Sequence, residues 1–241
     1  MLKSLFKFLF LIFLALAALI FYLSVYGIET NKFNNIINEK FQKINPNLNL
    51  LLSDVYLKLN IRKLLINIEV NKSEVTIDNS KLNLSKIKAN VNIFKLIKKQ
   101  NSIDQLEINL EENKIKDLAS FLNEYDFNLA RFILFNQIDD GVAKITIKIN
   151  LNDNDRSKID YKLNGYVKNG KINFLNKHKI SNINFKFKFG NKKTQLNDLK
   201  FNYSNLNFLS NNIIIEKSKN FYVKGDLENI KGNILPKAIT K

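Results

Sequence analysis

From Ser53 onward the sequence keeps to one rule for most of its length: every second residue is apolar. A period of two sends alternate side chains to opposite faces of an extended strand, so this rule limits the fold more than any other feature. The runs 55–59 (VYLKL), 64–70 (LLINIEV), 74–77 (EVTI), 86–93 (KIKANVNI) and 103–110 (IDQLEINL) read as successive strands. Between them, Asn71-Lys72-Ser73 and Asp78-Asn79-Ser80 are turn formers. About one strand every ten residues, without helical crossovers, predicts an antiparallel meander.

Residues 111–138 break the rule. Ile115, Leu118, Leu122, Tyr125, Leu129 and Phe132 recur at steps of three and four, which predicts a helix with one apolar seam laid on the sheet. Alternation then returns. Ala143, Ile145, Ile147, Ile149 and Leu151 alternate with polar residues, and so do Ile159, Tyr161, Leu163, Gly165 and Val167. INFKFKFG (183–190), LKFNY (199–203), NIIIE (212–216) and FYVKGDL (221–227) continue the pattern.

Each of these strands has one apolar face and one rich in Lys and Asn, as in a sheet wetted on one side. No helix-period segment follows residue 138 to cover the apolar side. Two outcomes are open: the sheet closes on itself as a barrel or sandwich, or it stays open as a gutter for an apolar ligand. The gutter reading predicts a mostly-β fold, a long curved antiparallel sheet forming an open groove, with one or two amphipathic helices. Ile145, Ile147, Ile149, Leu151 and Leu163 would line the groove at its start. Ile183, Phe185, Phe187, Phe189, Phe201 and Val223 would continue it.

The N-terminus carries a different signal. Phe8 to Ile28 are 21 residues without a charge. As a helix they would span about 30 Å, the thickness of a bilayer's hydrocarbon core. A cleaved signal peptide has a shorter apolar region and a small-x-small site; here Tyr22, Tyr26 and Ile28 follow instead. An uncleaved anchor containing Phe8, Leu14, Leu19 and Val25 is the better reading. Lys3 and Lys7 precede it with no acid, which predicts a cytoplasmic N-terminus and an exported remainder. Phe33, Ile36, Ile37, Phe41 and Ile44 then predict an amphipathic helix over 30–44, stopped by Pro46. The organisation read from the chain is thus tail and anchor (1–28), amphipathic helix (29–46), first meander (47–110), helical insertion (111–140) and second meander (141–241).

The formal charge of +16 raises nucleic acid as a partner, but only Arg62, Arg131 and Arg156 among 38 basic residues are Arg. Phosphate readers favour the bidentate guanidinium fork, and these lysines are spread along the strands' polar faces. Nucleic acid is therefore not expected. An anionic lipid surface suits them better, at about 1 kcal/mol per Lys close to the membrane. Without Cys there is neither a disulfide nor a thiolate metal site.

His178, the one histidine, reads as a solvated loop residue. Asp153-Asn154-Asp155-Arg156-Ser157 lacks the Gly and downstream Glu of a calcium loop and reads as a hairpin turn. Asp139-Asp140-Gly141 reads as the end of the helical segment and the opening of the next strand. With no nucleophile elbow, P-loop or dinucleotide fingerprint, no enzyme, cofactor or metal is expected.

Several phrases together carry a family likeness. They are LLSDVYLKLNIRKLLINIEVNKSEVTID, SKIKANVNIFKLI, DDGVAKITIKI, YVKNGKINF, ISNINFKFKFG and NFLSNNIIIEKSKNFYVKGDLENIKGNI, with Gly170-Lys171-Ile172 and Val223-Lys224-Gly225-Asp226-Leu227 as recurring elements. Placed after one span, they resemble the N-terminal part of the AsmA-like superfamily, including TamB-like and YhdP-like proteins of Gram-negative envelopes. The resemblance implies an inner-membrane anchor, a β-sheet groove in the periplasm, phospholipid acyl chains as cargo and other envelope proteins as partners. It implies transport of lipid between membranes or support of outer-membrane biogenesis. The alternative is a tethered structural or assembly module with a closed, dry core. Family members are usually much longer; fourteen strands at about 4.8 Å each stack to roughly 70 Å.

Overall fold

The computed structural model describes residues 2–32, 34–42, 45–98, 100, 102–125, 135–151, 160–175, 177–191, 193–217 and 221–231. Helix α1 (Leu2–Val25) leads into β1 (Ile28–Thr30) and the short helix α2 (Asn34–Gln42). There follow β2 (Leu48–Leu51), β3 (Val55–Asn60), β4 (Leu65–Ile77) and β5 (Ser80–Asn92), which runs straight into a one-turn helix, α3 (Ile93–Ile97). Strands β6 (Ile103–Leu110) and β7 (Asn113–Lys114) precede helix α4 (Ile115–Tyr125). The long strands β8 (Ile138–Asn150), β9 (Asp160–Phe174), β10 (His178–Gly190), β11 (Lys193–Tyr203) and β12 (Leu206–Lys217) come next, with β13 (Phe221–Gly225) and β14 (Glu228–Lys231) last.

All fourteen strands belong to one sheet, ordered β1-β3-β4-β5-β6-β8-β9-β10-β11-β12-β13, and all the pairings are antiparallel. The half-length strands fill in beside their neighbours: β2 pairs with β4, β7 with β8 and β14 with β12. Among the described residues, no pairing joins β1 to β13, so the sheet is open and does not close into a barrel. The first and second meanders are also not separate units, because β6 pairs directly with β8.

Direct cross-strand partners show how the alternation is used. Val55, Val70, Ile87, Ile108, Ile147, Leu163, Phe189, Thr194, Ile215 and Val223 are successive partners in one row across ten strands. Except for Thr194 the row is apolar, and it marks the inner face throughout.

A regular strand of 13 or 15 residues keeps one apolar face only while its alternation stays in phase. Here the phase slips once per strand. In strand after strand two polar residues stand together: Asn71-Lys72, Ser85-Lys86, Asp139-Asp140, Lys168-Asn169, Ser181-Asn182, Asn197-Asp198 and Asn211-Asn212. Register shifts fall at or beside several of them. Lys72, Asn169, Asn182 and Asp198 have φ of about 50°, a left-handed conformation that Asn and Asp tolerate. Each doublet absorbs one extra residue, so Val70 and Ser73, or Ile180 and Ile183, return to the same face. Bulges of this kind bend strands and increase their twist, and aligned across the sheet they form a transverse crease.

Several boundaries differ from the sequence reading for this reason. Asn71-Lys72-Ser73 is a bulge inside one continuous strand, β4, whereas Asp78-Asn79 is a true turn. Asp139-Asp140-Gly141 lies within β8, so the expected boundary at 140/141 cuts a strand. The apolar helix expected to end at Ile28 stops at Val25, and Ile28 belongs to β1. Strands β1 and β2 were not anticipated, being too short to show a period. Of the expected helices, 30–44 is realised as α2 over Asn34–Gln42 and 111–138 as α4 over Ile115–Tyr125. Leu129, Phe132, Ile159 and the 153–157 segment lie outside the described residues.

Candidate functional site

The two halves of the inner face are treated differently. In the first, Leu48, Leu50, Val75, Leu82, Leu84 and Leu110 form a buried cluster, closed by Ile37 from α2 and by Leu118 and Phe121 from α4. The sequence explains α4: Leu118, Phe121 and Leu122 recur on one side of a helix whose first turn carries Asp117, a favourable charge at the positive end of the dipole. Full burial of a leucine contributes roughly 1.5–3 kcal/mol relative to exposure, so this cluster is where the sheet's stability concentrates.

Beyond β8 the described residues show no helical cover. Among the described residues, β9 to β13 make their extensive contacts only with neighbouring strands. Their inner face carries Phe185, Phe187 and Phe189 as a contiguous row of tilted rings, with centroids 6.1 and 5.0 Å apart. Phe201 stacks on its cross-strand partner Phe208 at 4.9 Å. Leu196, Ile213 and Ile215 complete the surface in register with Phe187 and Phe189. The result is a one-sided apolar gutter.

Its residues are not equally available. Phe189 is 37% exposed and Val223 61%. Phe187, expected to lie open, is only 6% exposed. The cause is Gly165, its cross-strand partner: a Cβ there would fall 2.7 Å from the Phe187 ring and 2.1 Å from the Lys144 carbonyl oxygen. The ring therefore lies down into a notch that only glycine leaves. Ile183 is likewise buried, over Gly170, where a Cβ would sit 3.1 Å from its own.

Ile145 and Ile147 also differ from expectation, since they pack against the covered cluster and mark its border. Leu163 continues the row of Ile147 toward Phe189, and Ile149 lies in the next row, facing Tyr161. Leu151 is half-buried just past the end of β8. The alternation identified the face correctly; the glycine notch and the helical border needed the third dimension.

The outer face is polar, and its two halves differ as well. Glu69, Lys88, Glu107 and Lys148 are successive direct partners over four strands, with Lys88–Glu69 at 3.8 Å and Lys148–Glu107 at 3.1 Å. The Asn109 amide, then Lys148, hold the Glu107 carboxyl below its usual range despite some burial. The ladder ends where Lys148 faces Lys162.

From there the cations outnumber the acids. Residues 160–217 contain 11 Lys against Asp160, Asp198 and Glu216, whereas residues 48–110 hold ten basic and six acidic residues. At the border, Glu112 accepts hydrogen bonds from Lys168 (2.7 Å) and from the Tyr166 hydroxyl. These bonds lower the Glu112 carboxyl and raise both partners.

His178 is the first residue of β10 and no loop residue, with Nδ1 2.7 Å from the Tyr203 hydroxyl. Among the described residues, no cluster of three or more His, Asp or Glu could hold a metal. Compared with family models, with curated proteins and with solved structures, the chain finds no match.

Helix α1 is long and apolar enough to cross a membrane, by its length and composition, over Lys3–Val25. Its side chains from Lys3 to Tyr22, Phe8, Leu14 and Leu19 included, are all exposed, so none of the described residues covers them. Only around Leu23 does it meet the sheet, where the Tyr56 hydroxyl donates to the Tyr26 carbonyl at 2.5 Å.

Proposed function

We propose that this is a membrane-tethered gutter protein that holds phospholipid acyl chains along the bare inner face of β9–β13. In this reading it is an AsmA-like protein, anchored in the inner membrane by α1 with its sheet in the periplasm. It carries lipid between membranes or supports outer-membrane biogenesis, with other envelope proteins as partners. The observation that carries the reading is the asymmetry of cover among the described residues: one sheet, one continuous apolar face, and helices packed on its first half alone. A large uncovered apolar patch on a soluble surface is rare unless it binds something. The ligand must be long, apolar and content with a polar rim, which describes an acyl chain whose headgroup stays in water.

The test is lipid extraction from the purified full-length protein, compared with Phe189→Asp and with the outward Lys188→Asp. Phe189 rather than Phe187 is the informative position, because its side chain reaches solvent and a carboxylate there leaves the fold intact. Co-purified phospholipid in the wild type and in Lys188→Asp, lost from Phe189→Asp, is the expected result. A lipid-free wild type would end the proposal.

A further inference from the structure

The sheet's two rims are chemically unlike. One rim, here the near rim, is where the chain enters from α1: Ile28 of β1 faces Leu57, three residues from the end of β3 at Asn60. The same rim carries the β3–β4 hairpin over Ile61–Leu64 and, where β5 ends, helix α3. The far rim carries the turns Asp78-Asn79 and Ser204-Asn205, which are polar throughout; among the described residues, Phe174 and Leu175 are also exposed there.

At the near rim, around the β3–β4 hairpin and α3, large apolar residues are exposed. Ile97 is 72% exposed and Phe94 58%, with Leu96, Ile61 and Leu64 open beside them. They are held firmly in place. The Ile93 N–H donates to the Leu64 carbonyl at 3.1 Å, joining helix and hairpin. Asn92 Oδ1 accepts from the Lys95 N–H at 3.2 Å, and Lys95 Nζ reaches Asp104 at 2.7 Å. Arg62, Lys63 and Lys98 flank this apolar knob. Three strand steps separate β1 from β5, so α3 stands about 14 Å sideways, across the strands, from where the anchor joins the sheet.

We infer that the hairpin 61–64 and α3 form a second membrane contact, a foot that rests in the headgroup region of the bilayer that holds α1. Apolar side chains rimmed by Lys and Arg are the composition of an interfacial element, and anionic phospholipid headgroups are the matching surface. Helix α1 brings this rim, and not the polar one, next to the membrane. Two contacts 14 Å apart fix the sheet's orientation where one would leave it free to swivel. The foot depends on α1 being inserted, not on lipid occupying the gutter, so it stands or falls separately from the cargo.

The chain has no cysteine, so single-cysteine variants can be labelled in the full-length protein. Leu64→Cys, Ile97→Cys, Asn79→Cys, Asn205→Cys and Leu14→Cys would each carry an NBD fluorophore. Each would be reconstituted in vesicles of phosphatidylethanolamine and phosphatidylglycerol containing a nitroxide-labelled lipid. Quenching at residues 14, 64 and 97, with none at 79 and 205, is the expected pattern. Quenching at 14 alone would overturn the foot while leaving the anchor. No quenching at any position would remove the anchor and the foot together. Joint reversal of Arg62, Lys63 and Lys98 to Glu should abolish quenching at 97 and spare that at 14; undiminished quenching at 97 would overturn the assignment to anionic headgroups.

Discussion

The first and second halves of the sheet share strand direction, crease and alternation, yet one is a core and the other a surface. Leu84 on β5 and Phe189 on β10 both point to the inner face, and the difference between them is made by α4. Where a helix lies across the sheet, apolar residues become a stability reservoir; where none does, the same residue types are an exposed surface. Apolar alternation alone therefore does not distinguish core from binding surface, and the cover does.

Substitutions can break this contrast, beginning with the largest effect. Leu84→Asp places an unpaired carboxylate beneath α4 and should abolish cooperative unfolding, while Leu84→Ala should cost about 2–5 kcal/mol. Thermal melts in detergent read both. A melt of Leu84→Ala indistinguishable from wild type would mean that the helical cover contributes nothing.

Gly165→Ala comes next, because its Cβ collides with the Lys144 carbonyl and the Phe187 ring. The expected loss is about 1–3 kcal/mol, the usual cost of overpacking. Phe187 should also become more solvent-accessible, as measured by hydrogen exchange across 163–189. The gutter itself predicts a smaller effect on stability: Phe189→Asp should shift the melt less than Gly165→Ala does, and should act on lipid yield instead.

Smallest of all is Glu107→Gln, worth within about 1 kcal/mol for a cross-strand ion pair at the surface. Because the folded carboxyl is held below its usual value, its contribution is complete above the ordinary carboxylate range and fades as pH falls through the lowered one. The difference between wild type and Glu107→Gln should therefore shrink on acidification, and a difference that grew would reverse the assignment.

Much of this was legible in the sequence. IDQLEINL over 103–110 is strand β6 residue for residue, because Leu106, Ile108 and Leu110 alternate cleanly and the irregular pairing beside Asp104 stays within the strand. The second-half strands were found because each keeps its alternation on either side of its polar doublet. What sequence reasoning treated as punctuation was the polar doublet: Asn71-Lys72-Ser73 looks like a turn, but in β4 it is a bulge. The signal was there, since an apolar–polar–polar–apolar step recurs in strand after strand. Only its lateral alignment distinguishes a crease from a series of turns. The unequal exposure of Phe187 and Phe189 was not legible, because it depends on which residue of β9 faces each ring.

The strand order has a consequence for how such a molecule is made. Apart from the half-length strands, each strand pairs with those nearest it in the chain. No late strand is needed to complete an early one, so the ordering entropy is spent in short loops and not in closing the whole chain. A polypeptide delivered from its N-terminus can thus lay each hairpin on an edge already finished, while the rest is still being synthesised or threaded across a membrane. The growing edge remains a template at every stage, and assembly proceeds in the direction of delivery.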